Sequence, residues 1–508
     1  MRGLGSVTEM VTQRRASPRV DSRNRMRGHS RLIVLSSLCV LVSLTACGSD
    51  GQSNRAATEV PVARDSNPEP KIVEVSLVAE PAQVELLPGT LADVWAYRDA
   101  NAKDAAATVP GPLIRANVGD RVIVHLRNAL PETTTIHWHG VRVPPMSDGT
   151  PSSQKPIPSG GDFTYDFTTD DAGTFWYHPH VRGDVQIERG LYGMVVVSGG
   201  PPIPVDADRA FVLDDVKLSA DGKLSSQTTP LDLMLGRQGN VLLVNGRQRG
   251  SIEMKSGGRE RWRFVNSANG RYFNLRLPGQ HFLVIGWDGG LLATPYEADT
   301  LLISPGERYE VLVSQNLAAG ARLALQTIHY DRGHEVPDPG PVDILSIAVA
   351  GASAMGSAPM PATWGKAVEL VAPPGAAERK LVLSEEEKVG SDPRFLINAQ
   401  AFPDVPPVTG NEGDVAIWSI RNDAEMDHPF HLHGMFFRVL DIDGVPPEHL
   451  GWKDTVNIPQ KRTLRFAVRY GTPGTWMFHC HILEHAERGM MGELVLSPHV
   501  DVITPNAH

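Results

Sequence analysis

Short apolar runs separated by turn residues dominate the chain, and long stretches with helical periodicity are few. The segments 261–265, 282–285 and 309–313 are typical, since each is a short run of mainly aromatic and aliphatic side chains. Such residues favour extended strands, and 48 glycines and 40 prolines among 508 residues supply turns between them. The pattern predicts an all-β architecture, and the length allows two to four domains with separate cores.

Two stretches near the ends of the chain repeat one another. Segment 119–128 begins with Gly-Asp, ends with Arg-Asn and matches segment 413–422, and each leads into a His-X-His-Gly sequence. Further on, segment 173–180 matches segment 474–481, because both begin with Gly-Thr, continue with aromatic residues and end in His-X-His. A duplicated β unit is therefore predicted.

The repeat divides the chain into three predicted β-sandwich domains, at 71–200, 205–350 and 378–500. The Pro-rich stretch 201–204 and the Ala/Gly/Pro-rich stretch 350–377 are expected to connect them. The middle domain has strand-like segments of the same kind but no His pair and no Cys. We therefore expect it to act as a spacer or as one wall of a substrate site.

The first 46 residues have the composition of an export signal. Two arginines precede the apolar run 32–44, which is too short to span a bilayer comfortably. The run ends in Leu-Thr-Ala before Cys47, which resembles a bacterial lipobox. We expect a lipoprotein signal peptide over 1–46, starting at the first residue or at Met26, and a lipid anchor on Cys47. A plain secretory signal is the alternative.

Residues 47–70 are rich in Ser, Asn, Pro and charged side chains, and they are expected to form a flexible tether. The protein is therefore expected to be exported, as a periplasmic or cell-envelope lipoprotein anchored through Cys47, and to be a monomer. The net charge is −10, and the Arg-rich signal makes the remainder more acidic still. This balance argues against a nucleic-acid partner.

Cysteine usage singles out one residue. The chain has three cysteines, and two of them, Cys39 and Cys47, lie in the signal region. The processed chain therefore keeps Cys480 without an intrachain disulfide partner. In an oxidising compartment a lone thiol needs a reason to persist, and metal ligation is one such reason.

Side-chain alternation along a strand sorts the histidines by face. Residues two apart share a face, so His479 and His481 point to one side of a strand while Cys480 points to the other. The same parity applies to three further pairs, and the eight imidazoles can converge where the first and last domains meet. These residues are His137, His139, His178, His180, His431, His433, His479 and His481.

A second site is left for Cys480. His428 is out of phase with the His pair that follows it, and His485 lies beyond the predicted strand end, where the chain can fold back to the thiol. Met490 can supply a long axial thioether. Two imidazoles, one thiolate and a weak axial Met form a blue-copper electron-transfer site.

Zinc is the rival metal, because it also binds Cys and His. One structural zinc does not explain eight further histidines, and the repeat supplies another argument. The first copy has Pro179 in place of Cys480 and Leu191 in place of Met490. A single thiolate site beside a shared multi-metal centre predicts a protein with one point of electron entry.

These motifs, in this order, resemble those of the multicopper oxidases, the family of laccases, bilirubin oxidases and bacterial cuprous oxidases. The resemblance covers about residues 71–498 and implies three cupredoxin-like Greek-key β-sandwich domains. It also implies four coppers, one of type 1, one of type 2 and two of type 3. By resemblance, type 1 is bound by His428, Cys480, His485 and Met490, type 2 by His137 and His431, one type 3 by His139, His178 and His481, and the other by His180, His433 and His479.

The resemblance implies a laccase-like, copper-dependent oxidoreductase. A phenolic or aromatic reductant, or a metal ion such as Cu(I), gives single electrons at the type 1 copper. The electrons pass through Cys480 and its neighbours His479 and His481 to the three-copper centre, where O₂ is reduced to water. The alternatives are a copper-binding or copper-tolerance protein with incidental turnover, and a non-catalytic cupredoxin scaffold.

Proton supply requires an acid near the three-copper centre. Asp148 stands where relatives carry a carboxylate thought to assist proton delivery, so we assign it a catalytic role. Ser147-Asp148-Gly149 is equally good turn chemistry. Relatives often carry a second acid directly after the His485 position, where this chain has Ala486 and then Glu487.

The reductant is the least determined feature of the sequence. Asp423, Glu425, Met426 and Asp427 lie just before the first type 1 ligand, and they could hold a cationic reductant such as Cu(I) or Fe(II). An acidic loop on an acidic protein is the alternative. The segment 452–454 resembles one that lines the reductant side in bacterial relatives.

Overall fold

The computed structural model of the chain describes residues 58–225, 228–334, 338–353, 355, 358–387 and 391–499. Over these residues the chain forms 29 strands and three short α-helices, which confirms the predicted all-β class. No helix in this part of the chain is long and apolar enough to cross a membrane. The expected signal peptide, the lipobox and most of the tether lie outside the described residues.

Eight strands build the first pair of sheets. Their bounds are β1 Ile72–Leu87, β2 Thr90–Asp99, β3 Gly111–Asn117, β4 Arg121–Asn128, β5 His137–His139, β6 Asp162–Thr168, β7 Gly173–His178 and β8 Gly193–Ser198. The sheet orders are β2-β1-β4-β6 and β3-β8-β7-β5. Alternate residues of β4 are buried, as the period of a strand requires. Helix α1 (Gly183–Gln186) follows β7.

Eleven strands build the second pair of sheets. Their bounds are β9 Ala207–Val216, β10 Val241–Val244, β11 Gly250–Ser256, β12 Arg259–Asn266, β13 Phe273–Arg276, β14 Phe282–Trp287, β15 Gly290–Ala298, β16 Thr300–Ile303, β17 Arg308–Ser314, β18 Arg322–Ile328 and β19 Val342–Ala352. The sheet orders are β10-β9-β12-β17-β14-β15 and β11-β19-β18-β13-β16. Helix α2 (Pro230–Leu235) begins at a capping box in which Thr229 and Asp232 bond reciprocally.

Ten strands build the third pair of sheets. Their bounds are β20 Glu378–Glu386, β21 Arg394–Ile397, β22 Val408–Asn411, β23 Val415–Asn422, β24 His428–Leu432, β25 Phe437–Ile442, β26 Thr455–Ile458, β27 Thr463–Arg469, β28 Gly474–Cys480 and β29 Met491–Ser497. The sheet orders are β21-β20-β23-β27-β25 and β22-β29-β28-β24-β26. Helix α3 (Leu483–Glu487) follows β28, as α1 follows β7.

Each pair of sheets encloses an apolar core with a buried tryptophan: Trp138, Trp262 and Trp418. A fourth apolar cluster, which includes Trp176 and Val212, joins the first pair of sheets to the second. Burial of such side chains is the main stabilising contribution, about 1.5–3 kcal/mol for each large apolar residue. We propose that the three pairs are the three domains expected at 71–200, 205–350 and 378–500.

The duplicated units have the same strand register. In the first pair of sheets, β5 runs antiparallel to β7 and places His137 opposite His178. In the third pair, β24 runs antiparallel to β28 and places His431 opposite His479. Because directly opposed residues share a face, the two His-X-His sequences of each copy lie on one side of their sheet.

A buried asparagine marks the same loop in all three pairs of sheets: Asn128, Asn266 and Asn422. Each donates its side-chain amide to two backbone carbonyls and accepts the backbone N–H two residues on. The sequence comparison detects two copies of the unit, and the structure shows an equivalent loop in the middle pair. There the repeated signal is a single Asn at the end of a strand, too short to stand out in the sequence.

Candidate metal centres

Cys480, His428 and His485 bring three buried ligand atoms together, a group we call the Cys480 triangle. Cys480 Sγ lies 3.4 Å from His428 Nδ1 and 3.8 Å from His485 Nδ1, and the two Nδ1 atoms are 3.2 Å apart. The point equidistant from these corners is about 2 Å from each, close to the bond lengths of a metal with imidazole and thiolate. The structure thus assembles these three sequence-predicted ligands in a form that fits one metal ion.

Neighbouring elements hold the Cys480 triangle in place. His428 begins β24, and Cys480 ends β28, opposite Phe430. His485 lies on α3, beyond the strand end, so the chain folds back to the thiol. The Nε2–H of His485 donates to the carbonyl of Met234 at 2.9 Å, which leaves the Nδ1 lone pair directed at the thiol.

Burial has opposite consequences for the thiol and the imidazoles. It raises the pKa of the Cys480 thiol, because a buried thiolate loses its hydration. It lowers the pKa of His428 to about 4 and also lowers that of His485, so both imidazoles are neutral and keep a lone pair. A metal cation offsets the penalty on the thiolate and uses both lone pairs, and this donor set therefore suits copper.

Met490 is fully buried and belongs to the same apolar cluster as Cys480. Its backbone carbonyl accepts the N–H of Cys480 at 3.0 Å. The predicted axial residue therefore lies directly beside the strand end that carries the thiol.

The eight other predicted histidine ligands come together in three groups, which we call the histidine cluster. Within each group the ring nitrogens lie within 4.8 Å of one another. The groups are His137, His139 and His431; His139, His178 and His481; and His180, His433 and His479. Each group draws on both the first and the third pair of sheets, so neither copy of the repeat forms the cluster alone.

Backbone carbonyls determine which ring nitrogen faces the cluster in four of the imidazoles. Their Nδ1–H groups donate at 2.8–2.9 Å, from His137 to Asp148, from His178 to Pro179, from His431 to Asp454 and from His479 to Cys480. The lone pair is therefore on Nε2 in each ring. Three of these Nε2 atoms, in His137, His178 and His431, have no hydrogen-bond partner among the described residues.

His139 is oriented the other way round. Its Nε2 forms a hydrogen bond with Thr455 Oγ1 at 3.0 Å, and its Nδ1 has no partner within the described parts of the chain. Burial lowers its pKa, and it also lowers the pKa values of His178, His431 and His481. A neutral imidazole with an unpartnered nitrogen that faces the cluster can bind a metal ion through that nitrogen.

The contact between His433 and His479 tests whether the cluster suits metal ions. Both rings donate their Nδ1–H outward, His479 to a carbonyl and His433 to the Asp148 carboxylate at 3.1 Å, so both Nε2 atoms carry lone pairs. The two Nε2 atoms are 3.1 Å apart, and His180 Nε2 is 3.3 Å from that of His479. Two lone pairs at this distance repel each other. A metal ion bound between the rings would accept the lone pairs and so remove the repulsion.

Asp148 is buried behind His137 and His433. Its carboxylate lies 3.1 Å from His433 Nδ1 and 3.3 Å from His137 Nδ1. Burial acts to raise the pKa of this carboxyl, but the two imidazoles outweigh it and lower the pKa. Asp148 also closes the 3-10 turn Pro145–Ser147, so the turn and the site are one feature.

Sequence reasoning missed the contacts of Asp454. Its Oδ1 lies 3.3 Å from His139 Nε2, its backbone carbonyl accepts from His431, and its carboxylate pairs with the fully buried Arg308. The structure therefore places Asp454 at the histidine cluster. The contact arises from the pairing of β24 with β26, and no local sequence motif indicates this pairing.

The acidic residues that precede β24 do not form an open cation site. Glu425 pairs with Lys461 at 2.6 Å, and Asp423 pairs with Arg421 at 2.7 Å. Met426 is fully buried, so its thioether is not offered to solvent. The geometry favours the plain acidic loop over a site for a cationic reductant.

Glu487, the acid nearest to the position where relatives often carry a second one, faces α1. Its Oε1 accepts the N–H of Gly183 at 2.7 Å, and Gly183 lies close to His180 in the sequence. Burial raises its pKa to about 7. The Glu487 carboxyl therefore contacts the first copy of the repeat. It lies one residue further along the chain than the second acid that relatives often carry.

Comparison with known proteins gives matches over most of the chain. Family models described as multicopper oxidase match residues 95–201, 214–322 and 374–500. The multicopper oxidase MmcO of Mycobacterium tuberculosis is 30% identical over 89% of this chain and 93% of its own length. The multicopper oxidase mco of Staphylococcus epidermidis is 31% identical over 76% of this chain and 81% of its own.

Solved structures give the same result. A multicopper oxidase from Campylobacter jejuni, described as a metallo-oxidase, has a TM-score of 0.77 and 28% identity over 87% of this chain and 94% of its own. A laccase-like CueO from Ochrobactrum sp., with oxidase activity towards lignin model compounds and lignosulfonate, has a TM-score of 0.74 and 28% identity over 86% of this chain and 99% of its own.

Proposed function

Because the chain belongs to the multicopper oxidase family, we propose that its Cys480 triangle receives electrons from a reductant and that its histidine cluster delivers them to O₂. The family makes it a copper-dependent oxidoreductase with O₂ as acceptor. When bound, the four coppers supply one-electron acceptance and the four-electron reduction of O₂ to water.

The proposed ligands follow the groups described above. The type 1 copper would be held by the Cys480 triangle together with Met490. The histidine cluster would hold the other three ions, divided as type 2 at His137 and His431, one type 3 at His139, His178 and His481, and the other type 3 at His180, His433 and His479.

Strand β28 carries the main support for this proposal. Cys480 belongs to the triangle, while His479 and His481, its neighbours in sequence, belong to two different groups of the cluster. The thiol and the two imidazoles are thus joined by a few covalent bonds along one backbone. A short, rigid covalent path of this kind suits electron transfer between the two sites.

Asp148 is proposed to serve the histidine cluster in two ways. It accepts the outward Nδ1–H of His433 and so fixes the direction of that ring's lone pair. As a buried carboxylate beside two cluster histidines, it is also placed to pass protons towards the reacting oxygen.

The proposed reductant is a phenolic or other aromatic compound. The relatives differ in this respect, since the Campylobacter jejuni protein is described as a metallo-oxidase and the Ochrobactrum protein as active towards lignin model compounds and lignosulfonate. In this chain the acids of the loop before β24 are paired and Met426 is buried, which leaves a metal ion such as Cu(I) without a binding site there.

We further propose that the protein is exported and held in the cell envelope through a lipid on Cys47, as a monomer. The signal features of residues 1–46 support this, together with the tether that follows them. Metabolic labelling with a fatty acid tests the anchor, because a Cys47→Ala variant should lose the label and appear in the soluble fraction.

Copper loading of the purified protein tests the proposed function. The loaded protein should show an intense visible absorption from the thiolate site and should consume O₂ faster with a phenol than with Cu(I). A colourless protein that holds four coppers would exclude the Cys480 triangle as the type 1 site. Copper binding without O₂ uptake from any reductant would support the alternative of a copper-binding protein.

A further inference from the structure

Arg332 is an unusual charged side chain outside the metal centres. It is only 2% exposed, and none of the described residues provides a hydrogen bond or an ion pair to its Nε, Nη1 or Nη2 atoms. A buried guanidinium without a partner is costly, because its lost hydration is not replaced. Such a group is expected where the partner is a ligand.

Arg332 lines a cleft of about 870 Å³, which is the size of a small-molecule site. Tyr272 and Tyr330 form an aromatic wall in this cleft, with ring centroids 5.5 Å apart and planes inclined by 25°. The Arg332 guanidinium lies 5.6 Å over the Tyr272 ring. The cleft therefore offers an aromatic surface and a positive charge side by side.

The cleft lies next to the Cys480 triangle. The backbone carbonyl of Arg332 accepts the N–H of Asp427, the residue before His428, at 2.8 Å. Tyr272 belongs to the same apolar cluster as Cys480. A molecule bound at Arg332 is therefore close to the proposed point of electron entry.

The neighbouring charges leave Arg332 available. Asp427, a nearby acid, already accepts hydrogen bonds from Tyr330 Oη at 2.7 Å, from Asn457 at 2.7 Å and from the N–H of Gln460 at 2.9 Å. Arg271, which also lines the cleft, pairs with Asp215 at 2.5 Å. The Arg332 guanidinium thus has no acid within ion-pair distance among the described residues.

We propose that Arg332 binds the carboxylate of an aromatic reductant whose ring lies against Tyr272 and Tyr330. The planar fork of a guanidinium matches a carboxylate in a bidentate arrangement, and it prefers an anion to a cation or a neutral ester. This inference rests on the proposed function. Each reductant molecule gives up one electron, which a copper held by the triangle would accept, and its phenolic proton goes to solvent, while the carboxylate is unchanged. Four such electrons and four protons from solvent convert one O₂ to two waters.

Kinetics with 4-hydroxy-3-methoxycinnamate and its methyl ester test the proposal. The two compounds share the phenol and differ in charge, so the ratio of their kcat/KM values cancels any change in the electron acceptor common to both. The wild type should prefer the acid at least about tenfold. A charge-assisted hydrogen bond is worth about 1.5–3 kcal/mol, so Arg332→Gln should lower the preference about ten- to a hundredfold, mainly through KM.

Arg322→Gln is the matched control, since it removes the same charge from an exposed position on β18 and should leave the ratio unchanged. A ratio that is the same in Arg332→Gln and wild type would overturn the inference. Oxygen uptake with neither compound would overturn the proposed function instead.

Binding gives a second measurement that does not depend on turnover. Calorimetric titration of the copper-loaded protein with benzoate should show saturable binding, and benzamide, of the same shape without the charge, should bind at least about tenfold more weakly. Arg332→Lys keeps the charge but loses the fork, so it should weaken benzoate binding several-fold even where Arg332→Gln does not fold. Equal binding of benzoate and benzamide, or equal benzoate binding by Arg332→Lys and wild type, would contradict the proposal.

Discussion

The first and third pairs of sheets contain the same buried asparagine loop and the same opposed histidine pairs, but only the third contains the Cys480 triangle. Pro179 stands in place of Cys480, and its carbonyl accepts the Nδ1–H of His178 as that of Cys480 accepts from His479. The backbone that orients the imidazoles is therefore the same in both copies, and the thiol is an addition to it.

The two other corners of the triangle are also replaced in the first copy. Thr134 holds the place of His428, three residues before a His-X-His sequence. Gln186 holds the place of His485, since its carbonyl accepts the N–H of Leu191 as that of His485 accepts from Met490. The hydroxyl of Thr134 donates to Gln186 Oε1 at 2.7 Å.

A buried hydrogen bond thus occupies the position that corresponds to the Cys480 triangle. The histidine cluster depends on features that both copies keep, whereas the proposed electron entry depends on four side chains of one copy. The two functions should therefore be separable by substitution.

The largest effect is expected from giving the third copy the residues of the first. His428→Thr with His485→Gln should remove one copper per chain and lower O₂ uptake to roughly a thousandth of wild type or less, because only Cys480 and Met490 remain of the four proposed type 1 ligands. Copper analysis and oxygen electrode measurements check both quantities. Loss of all four coppers would show that the sites are not separable.

A smaller effect is expected from Asp148→Asn, which keeps the shape of the side chain and removes its charge. O₂ reduction should fall about a hundredfold, a typical contribution of a positioned proton-transfer group, with the copper content unchanged. Anaerobic bleaching of the visible absorption by a reductant should keep its rate, because the triangle is not touched. Asp162→Asn, an exposed carboxylate on β6, is the control. A slower bleaching step would show that Asp148 acts in electron uptake from the reductant and not in O₂ reduction.

The smallest effect concerns the hydrogen bond of the first copy. Thr134→Val leaves the buried Gln186 Oε1 without its donor and should reduce the free energy of unfolding of the copper-free protein by about 1–3 kcal/mol. Urea denaturation measures this, and Thr168→Val, at an exposed position of β6, should change stability by less than about 0.5 kcal/mol. A lower copper content in Thr134→Val than in wild type would indicate that the first copy of the repeat still stabilises the Cys480 triangle.

Much of the candidate site follows from a single physical rule. Strands alternate their side chains, and this alone separates Cys480 from His479 and His481 and puts the paired histidines on common faces. The structure brings together each group of ligands derived in this way. The all-β class likewise follows from short apolar runs with frequent turn residues.

Other features depend on tertiary contacts that leave no local pattern. The ring nitrogen that faces the cluster is fixed by distant carbonyls, so the reversed orientation of His139 has no signal in its own motif. Asp454 reaches the cluster through strand pairing, and Arg332 is notable only because no described residue pairs with it. The equivalent loop at Asn266 in the middle pair is too small a match to detect in the sequence.

Copper content and visible absorption of Cys480→Ser measure whether one thiol creates the electron-entry site beside a cluster that both copies build. The variant should lack the intense visible absorption and oxidase turnover, while it still binds the three coppers of the histidine cluster. If the variant kept the absorption, or oxidised its reductant at the wild-type rate, Cys480 would not be the point of electron entry.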